Sequence, residues 1–319
     1  MIHGNWLGRW ARYSPQKNAL IEMETGRGIS YSELSRRADR AAVMLRDRHG
    51  IRVGDRVALL GANRVAQVEL YFAVAKLGAV LVPINWRLSA DEVAYVLGDC
   101  EPALLVHGGD VAATVEALPG LGWLGPRLAF DGDGETYAGQ RDAAPDVPVH
   151  TEGIDDDTPV MLLYTSGTTG RPKGAVLTHG TITWNAVNTA AGWDLHGDDV
   201  TITHTPFFHT GGWNVLTLPL LHRGATVVLA ERFDPDATLD AIGRFGVTVL
   251  FAVPTMFQMM LESDRFADAD LSPVRFFISG GAPCPVPLIE AFQAQGVVFK
   301  QGYGLTEVGP NCFVLHERD

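Results

Sequence analysis

The sequence predicts an α/β protein in which mostly parallel sheets are flanked by helices. Short apolar runs that are typical of buried strands alternate with segments of helical periodicity along most of the chain. At 319 residues the chain also exceeds the roughly 250–300 residues at which a single hydrophobic core stops growing. Because the alternation gives way to Gly, Pro and Asp between residues 119 and 158, we expect two α/β subdomains, residues 1–158 and 159–319.

Residues 30–50 predict the first helix of the chain. Its apolar residues recur at spacings of three and four, Ser30 and Glu33 stand at capping-box distance, and Gly50 fits the position after the helix end. A second Ser/Glu pair at the same distance begins at Ser89 and opens a later helix. The other predicted elements of this half are strands at 56–60, 79–82 and 103–107 and helices at 68–78 and 89–97.

The second half repeats the alternation of strand and helix. Asp234 and Pro235 predict an N-cap followed by proline at the first helical position, and Gly246 marks the end of that helix. In open sheets of this class, ligands bind beyond the carboxyl ends of the strands, where this half carries its polar motifs. The predicted elements are strands at 175–178, 200–204, 226–229, 247–252, 275–279 and 297–300 and helices at 180–191, 234–246 and 285–295.

Composition and charge narrow the classes of function. Apolar residues make up 46 % of the chain and charged residues 19 %, as in ordinary soluble globular proteins. The net charge of −12 argues against general binding of nucleic acid or of an anionic membrane surface, since both need a basic face. Any anion must therefore be bound by a local cluster of donors.

Cysteine usage and the start of the chain bear on its compartment. Cys100, Cys284 and Cys312 are widely spaced and form no C-x-x-C pair, so we expect neither a disulfide framework nor a zinc site. Polar residues from His3 to Arg12 interrupt the apolar segment that a signal peptide would need, so we expect no signal peptide. No apolar run approaches the roughly 18 residues of a membrane span. We expect a cytoplasmic protein without membrane insertion.

The stretch Tyr164–Gly174 reads YTSGTTGRPKG and directly follows an apolar run. Its glycines allow successive backbone N–H groups to turn inward, while its hydroxyls, Arg171 and Lys173 add donors and positive charge. The pattern predicts a phosphate-binding loop. It is not a Walker A loop, because counting from Gly167 the second required glycine is replaced by Pro172. A polar surface loop rich in turn-forming residues is the alternative interpretation.

Two further glycine-bearing turns follow predicted strands. Phe207–Gly212 places His209 between aromatic residues and glycines, a pattern that a packed core histidine would also give. Ser279–Pro283 contains two glycines, which would let a flat ring approach the backbone, although a tight turn before a helix would also use them. A turn of this kind can serve both purposes.

The last motif, Gln301–Glu307, reads QGYGLTE. Tyr303 offers a planar face, Thr306 a hydroxyl, and Glu307 a hard oxygen ligand of the kind that Mg²⁺ prefers. The alternative is a glycine-rich turn without a ligand. The dinucleotide-binding pattern G-x-G-x-x-G is excluded, because the position of its third glycine is occupied by Glu307.

Taken in order, the four motifs resemble those of the adenylate-forming superfamily, which includes acyl- and aryl-CoA synthetases, firefly luciferase and the adenylation domains of nonribosomal peptide synthetases. The resemblance implies the large amino-terminal domain of that superfamily, with two mostly parallel sheets flanked by helices in a layered αβαβα arrangement. No residue matches the superfamily's ribose-binding aspartate, its hinge or its carboxy-terminal lysine. We therefore expect most of the small β-barrel and the mobile carboxy-terminal lid to be absent from these 319 residues. Either the chain is a fragment, or the missing half was lost, or another chain supplies it.

The resemblance also implies roles for individual residues. The implied catalytic residues are Lys173, His209, Thr306 and Glu307, with Glu307 as the metal ligand. The implied nucleotide-binding residues are Thr165, Ser166, Gly167, Thr168, Thr169, Gly170, Lys173, Gly280, Gly281, Ala282, Pro283, Gly302, Tyr303, Gly304 and Thr306. The implied acyl pocket consists of Phe208, His209, Gly211, Trp213, Gly281 and Gly304.

The activity that the resemblance implies is that of an ATP-dependent acid–thiol ligase, or acyl-CoA synthetase. A carboxylic acid would react with Mg²⁺-ATP to give an acyl-adenylate, and coenzyme A or a phosphopantetheine arm would take the acyl group. We expect the 319 residues alone to bind nucleotide or adenylate weakly and to turn over poorly. The implied partners are the acid, ATP and coenzyme A, without nucleic acid, and a homodimer is left open.

Two alternatives stay open beside this activity. One is a ligase that carries out a single half-reaction, making or consuming the adenylate, and the other is a truncated, non-catalytic module that binds nucleotide or adenylate. A P-loop kinase or ATPase fits least, given the failed Walker spacing. Four residues favour a hydrophobic acid, fatty or aromatic: Phe207, Phe208, Trp213 and Gly281. Among such acids we expect an aliphatic or alicyclic one.

Overall fold

The computed structural model describes residues 4–120, 125–132, 135–166 and 170–315. The described residues form two compact units, each built from several segments of the chain. The first unit takes the segments 1–16, 30–183 and 207–209, and the second takes 17–29, 184–206 and 210–319.

Helices and strands alternate along the described residues. The helices are α1 (Gly4–Tyr13), α2 (Tyr31–Asp47), α3 (Val65–Leu77), α4 (Ala90–Cys100), α5 (Ala112–Glu116), α6 (Tyr137–Ala143), α7 (His179–Gly192), α8 (Thr217–Arg223), α9 (Pro235–Phe245), α10 (Pro254–Leu261) and α11 (Val286–Gln293). The strands are β1 (Asn18–Glu22), β2 (Gly28–Ser30), β3 (Arg56–Leu60), β4 (Val80–Ile84), β5 (Leu104–His107), β6 (Arg127–Ala129), β7 (Pro159–Thr165), β8 (Lys173–Thr178), β9 (Val200–Thr203), β10 (Thr226–Leu229), β11 (Val249–Ala252), β12 (Phe276–Ser279), β13 (Phe299–Gly304) and β14 (Asn311–Val314).

The first unit is built on a six-stranded sheet in the order β6-β5-β3-β4-β7-β8. Its neighbouring strands are parallel, except that β7 and β8 form an antiparallel hairpin. The middle strands are buried almost throughout, and α4 packs Val93, Val96 and Leu97 into an apolar cluster with them. Burial of apolar surface, at about 25 cal/mol per Å², is the main stabilising contribution in such a core.

Local sequence explains where the helices of this unit begin and end. Ser89 forms the predicted capping box with Glu92 at the start of α4. At the start of α2 the Ser30 hydroxyl accepts a hydrogen bond of 3.1 Å from the backbone N–H of Glu33, but the Glu33 side chain pairs with Arg37 instead of closing the box. Gly78 ends α3 in the left-handed conformation, with φ of 67°, which glycine adopts without strain.

Glu69 of α3 is the centre of a buried ion cluster that joins three helices. Its carboxylate is only 1 % exposed and accepts hydrogen bonds from Arg37 of α2, at 3.0 Å, and from Arg141 of α6, at 2.5 Å. The two guanidinium groups replace the water that the carboxylate loses on burial. This cluster holds the short helix α6, which lies inside the segment 119–158 where the sequence predicted no element.

The second unit contains two four-stranded sheets, in the orders β2-β1-β10-β9 and β11-β12-β13-β14. The pairs β1–β10, β10–β9, β11–β12 and β12–β13 are parallel, and β13–β14 is antiparallel. Asp199, just before β9, accepts hydrogen bonds of 2.8 Å from Arg275 and 2.7 Å from Thr248, which lie just before β12 and β11. This cluster ties the amino ends of three strands and leaves their carboxyl ends to the polar turns.

The predicted class, an α/β protein with mostly parallel sheets, is confirmed. The described residues form three sheets, because the strands of the second unit divide between two of them. Strand β1 was not predicted, since it pairs with β10 some two hundred residues later and its stabilisation is not local. The subdomain boundary at 158 stays a prediction; the first compact unit continues through β7 and β8, because β7 pairs with β4 of its sheet.

Cys100, Cys284 and Cys312 carry free thiols, and only Cys312 is exposed. No helix within the described ranges combines the length and the apolar character that crossing a lipid bilayer requires.

We expect Glu69→Gln to destabilise the protein by about 3 kcal/mol, because it leaves the buried guanidinium groups of Arg37 and Arg141 without their shared carboxylate. Urea unfolding followed by circular dichroism at neutral pH would measure the change in the free energy of unfolding.

The matched control is Glu135→Gln, which removes an exposed ion pair with Arg48 and should cost less than about 1 kcal/mol. If the two variants lost equally little stability, the cluster around Glu69 would not hold the three helices together.

Candidate functional site

The predicted phosphate loop connects β7 to β8 as the turn of an antiparallel hairpin. Thr165 of β7 lies directly opposite Lys173 of β8, so the hydroxyl and the ammonium group belong to one cross-strand pair. Gly170 has φ of 83°, in the left-handed region that favours glycine. The predicted residues Gly167, Thr168 and Thr169 lie outside the described residues. The described ends of the loop thus present a hydroxyl and a cation side by side.

A cavity of about 480 Å³ adjoins this loop within the first unit. It lies beyond the carboxyl ends of β4 and β7, where open parallel sheets bind their ligands. Of the predicted site residues it brings together Thr165, Ser166, Gly170 and Phe208, whereas Lys173 and His209 do not line it. Its other walls are Pro83, Ile84, Asn85, Leu88, Glu92, Tyr95, Val96, Tyr164, Arg171 and Pro172.

Helix α4 supports the loop from the side. The Tyr164 hydroxyl donates a hydrogen bond of 2.6 Å to Asp99 of α4, and the Arg171 guanidinium lies 5.8 Å from the centre of the Tyr95 ring. Burial, together with the hydrogen bond to Asp99, raises the pKa of Tyr164, so the phenol keeps its proton. These contacts restrict the loop on both sides of the undescribed residues.

The aromatic–histidine segment is anchored on the first unit. The backbone N–H of Phe207 donates a hydrogen bond of 2.9 Å to the side-chain oxygen of Asn63, and the Phe208 ring meets Trp86 edge-on at 6.4 Å. His209 is exposed in part, yet desolvation by its surroundings lowers the pKa of its imidazole. A neutral imidazole is therefore favoured at pH 7, and it would bind a carboxylate by hydrogen bonding rather than as an ion pair.

Sequence reasoning missed the segment after β4. Asn85, directly after β4, lines the cavity and accepts a hydrogen bond of 3.0 Å from the backbone N–H of Arg87. The Arg87 guanidinium lies over the Trp86 ring at 4.9 Å and near Phe208 at 5.7 Å. The signal that could have found this segment is its position, directly after a buried parallel strand.

In the second unit, the turn after β12 approaches the last motif. A Cβ atom on Gly280 would lie 3.3 Å from the Gly302 carbonyl oxygen and 3.2 Å from the Phe251 ring, so a larger residue would crowd both. Gly281 has φ of 81°, and Ala282 and Pro283 are exposed. The structure therefore brings together the backbones of two predicted nucleotide-binding segments.

The hairpin β13–β14 carries the residues from Tyr303 to Glu307. Tyr303 is 58 % exposed and its ring centre lies 6.0 Å from that of Phe313, which leaves a face for a planar ligand. A Cβ atom on Gly304 would lie 2.0 Å from the Pro310 carbonyl oxygen, so only glycine fits there. Thr306 is half-buried at the start of a single 3₁₀ turn that also contains Glu307.

The side chains of Lys173 and Glu307 are both exposed, and neither forms a hydrogen bond or ion pair with any residue that the structure describes. The described ranges contain no cluster of three or more His, Cys, Asp or Glu side chains that could hold a metal ion. A metal bound at Glu307 would thus take most of its ligands from elsewhere. This fits Mg²⁺, which usually combines one or two carboxylates with phosphate oxygens and water.

The turn after His209 packs tightly in the second unit. A Cβ atom on Gly212 would lie 2.5 Å from the Pro206 carbonyl oxygen, so glycine is required, and Trp213 is fully buried. Residues 211–215 form a π-helical turn, a feature that often marks functional sites. The acyl-pocket roles of Gly211, Trp213, Gly281 and Gly304 stay predictions.

The two units therefore carry different predicted parts of the site. Lys173, Phe208 and His209 belong to the first unit, and Thr306 and Glu307 belong to the second. The catalytic and nucleotide-binding roles given to these residues stay predictions.

The fold and its motifs define a class of protein: an α/β protein with a hydroxyl- and glycine-rich segment between β7 and β8 that lacks the Walker spacing. Residues 7–319 match the family model described as AMP-binding enzyme, and the chain belongs to that family.

Relatives and solved structures agree with this assignment. The chain is 43 % identical over 312 residues to a feruloyl-CoA synthase of Amycolatopsis sp and 37 % identical over 319 residues to an indoleacetate–CoA ligase of Aromatoleum aromaticum. These matches cover 98 % and 96 % of this chain but 61 % and 60 % of those relatives, so the chain spans less than two thirds of their length. The inhibitor-bound N-terminal domain of FACL13 from Mycobacterium tuberculosis superposes with a TM-score of 0.94 at 32 % identity, over 100 % of this chain and 79 % of that one.

His204, which directly follows β9, was not singled out from the sequence. It is 2 % exposed, packs against the Phe233 ring at 5.0 Å, and neither ring nitrogen forms a hydrogen bond with a described residue. Burial lowers its pKa from the ordinary value of 6.5 to about 4.

We therefore expect His204 to make the fold acid-sensitive. Between pH 6.5 and 4 the unfolded chain binds a proton at this residue and the folded chain does not, so stability falls as the pH decreases through that window and levels off below it. In His204→Leu the loss of stability between pH 7 and 4.5 should be smaller than in the wild type by about 2 kcal/mol, measured by urea unfolding. Parallel stability–pH curves for the two proteins would contradict the assignment.

Proposed function

We propose that this chain serves an ATP-dependent acid–thiol ligase that activates a hydrophobic carboxylic acid and transfers its acyl group to coenzyme A. The observation that carries the proposal is the β7–β8 hairpin, which pairs Thr165 with Lys173 beside a cavity at the carboxyl edge of a parallel sheet. A hydroxyl, a glycine turn and a cation that has no partner among the described residues suit the oxygens of a polyphosphate. The relatives are named as CoA ligases or a CoA synthase, which favours activation of an acid and transfer of its acyl group to coenzyme A.

In the first half-reaction, a carboxylate oxygen of the acid attacks the α-phosphorus of ATP, the bond to the β-phosphate oxygen breaks, and pyrophosphate leaves. Both reactants are anions, so catalysis depends on positioning and on neutralising charge. Lys173 and the loop 165–170 would bind the β- and γ-phosphates, and Thr306 would donate to the α-phosphate. Glu307 would hold Mg²⁺, which when bound withdraws charge from the phosphate oxygens.

In the second half-reaction, the thiol sulfur of coenzyme A attacks the acyl carbon, the bond to the AMP oxygen breaks, and the thiol proton passes to solvent. Neutral His209 would donate a hydrogen bond to the carboxylate or to the acyl oxygen rather than form an ion pair. Phe208 would provide an apolar wall for the acyl group.

The relatives refine the choice of acid. The two at 43 % and 37 % identity are named for feruloyl and indoleacetate, whereas a long-chain fatty acid ligase of Mycobacterium tuberculosis is 35 % identical. An aromatic acid is therefore favoured over the aliphatic or alicyclic acid expected from the sequence.

The proposal predicts that the chain recognises an acyl-adenylate as a whole. Calorimetry should show that an acyl-sulfamoyl adenosine, which mimics the adenylate, binds roughly 100-fold more tightly than AMP, and aromatic acyl groups should bind more tightly than octanoyl. Exchange of pyrophosphate into ATP should depend on the same acids. If the mimic bound no better than AMP and no acid supported exchange, the chain would be a nucleotide-binding module instead.

We expect Glu307→Gln to lower the rate of acid-dependent exchange of pyrophosphate into ATP by roughly 10²–10³-fold. The substitution removes the carboxylate that would hold Mg²⁺ and keeps the shape of the side chain. Glu307 is exposed, so thermal unfolding should not change.

The matched control is Glu290→Gln, which changes another exposed glutamate, on α11, and should leave the exchange rate intact. Wild-type exchange by Glu307→Gln would remove the metal-binding role from this residue.

A further inference from the structure

Three asparagines in the second unit form a network of hydrogen bonds that the motifs did not reveal. The backbone N–H of Asn311 donates to the Asn185 side-chain oxygen at 3.1 Å, and the Asn311 amide nitrogen donates to the Thr189 hydroxyl at 2.8 Å. The Asn185 amide nitrogen donates in turn to the Asn214 backbone carbonyl at 2.7 Å. Each of these bonds joins residues from different segments of the chain.

Asn311 is half-buried, and the other residues of the network are buried, which makes their bonds specific. Asn214 is fully buried, Thr189 is 2 % exposed and Asn185 is 5 % exposed. In such surroundings a polar group that loses its partner cannot turn to water, so every alternative arrangement is unfavourable. The three asparagines therefore fix the relative positions of the segments that carry them.

One end of the network reaches the turn that follows His209. The Asn214 amide nitrogen donates to the Thr210 hydroxyl at 3.1 Å, and Asn214 lies in the π-helical turn 211–215. This is the turn that carries Gly211 and Trp213 of the predicted acyl pocket.

The other end reaches the hairpin with the predicted nucleotide motif. Asn311 begins β14 and pairs with Gly304 of β13, directly before the turn that carries Thr306 and Glu307. Asn185 and Thr189 lie four residues apart on α7 and so share one face of that helix. Helix α7 thus holds the hairpin and the turn after His209 against one surface.

We propose that Asn185, Asn214 and Asn311 are positioning residues that keep the acyl-binding turn and the nucleotide-binding hairpin at a fixed separation. The inference rests on the proposed function. A ligand that binds only one of the two segments does not depend on this separation, whereas an acyl-adenylate spans both and binds tightly only when they are aligned. The network would therefore determine how much more tightly the chain binds an acyl-adenylate than AMP.

The test compares two probes on the purified chain: AMP alone, and whichever of octanoyl- and benzoyl-sulfamoyl adenosine binds the wild type more tightly. Asn311→Ala should weaken binding of the mimic by roughly tenfold and change the affinity for AMP by less than about twofold. Asn185→Ala should act in the same way. The double variant should lose little more than either single variant, because both residues act through one network.

The control variant is Thr248→Val, which removes a partly buried hydrogen bond to Asp199 at the amino end of the strands in the same unit. It should lower the stability of the protein and leave the ratio of the two affinities unchanged. If the asparagine variants lost stability but kept the wild-type ratio, their role would be structural only and the inference would be wrong. If the wild type bound neither mimic more tightly than AMP, the proposed function would fail, and this inference with it.

Discussion

The hydrogen-bonded pairing of β7 with β8 is the constraint on which the candidate site depends. Thr165 lies opposite Lys173, so the pairing places the hydroxyl and the ammonium group at the same end of the hairpin before any ligand arrives. Strand β4 pairs with the other edge of β7, and residues at the end of β4 form another wall of the cavity. Contacts from α4 to Tyr164 and Arg171 then restrict the loop from the side. The positions of Thr165 and Lys173, at the two ends of the predicted phosphate loop, thus follow from the sheet.

Charge is distributed in opposite ways in the core and at the candidate site. In the core, the carboxylate of Glu69 is satisfied by two guanidinium groups, so its charge is not available to a ligand. At the turns, the charges of Lys173 and Glu307 have no partner among the described residues and stay exposed. The net charge of −12 does not prevent anion binding at such a turn, because charges more than about 10 Å apart are largely screened at physiological ionic strength. A protein can therefore be acidic as a whole and still bind phosphate at one loop.

Features with a local cause could be predicted from the sequence, and features with a distant cause could not. The capping box at Ser89, the proline start of α9 and the alternation of strands and helices depend on neighbouring residues, and all are present. The helix α6 and the asparagine network depend on partners far along the chain. Asn185 and Asn311, for example, are 126 residues apart, and each alone is an ordinary polar residue in the sequence. Within the candidate site, the turns were found because glycine restricts the local backbone, whereas the cavity wall at Asn85 was missed.

Hydrogen–deuterium exchange tests most directly whether the loop after β7 and the hairpin β13–β14 each bind the nucleotide. When Mg²⁺-ATP and a carboxylic acid that the chain binds are added, we expect slower exchange in peptides that span residues 165–173 and 299–308. Exchange around the buried cluster at Glu69 should change little. Protection elsewhere, with these two stretches unchanged, would contradict the account, because the ligand would then be bound by residues other than the loop after β7 and the hairpin β13–β14.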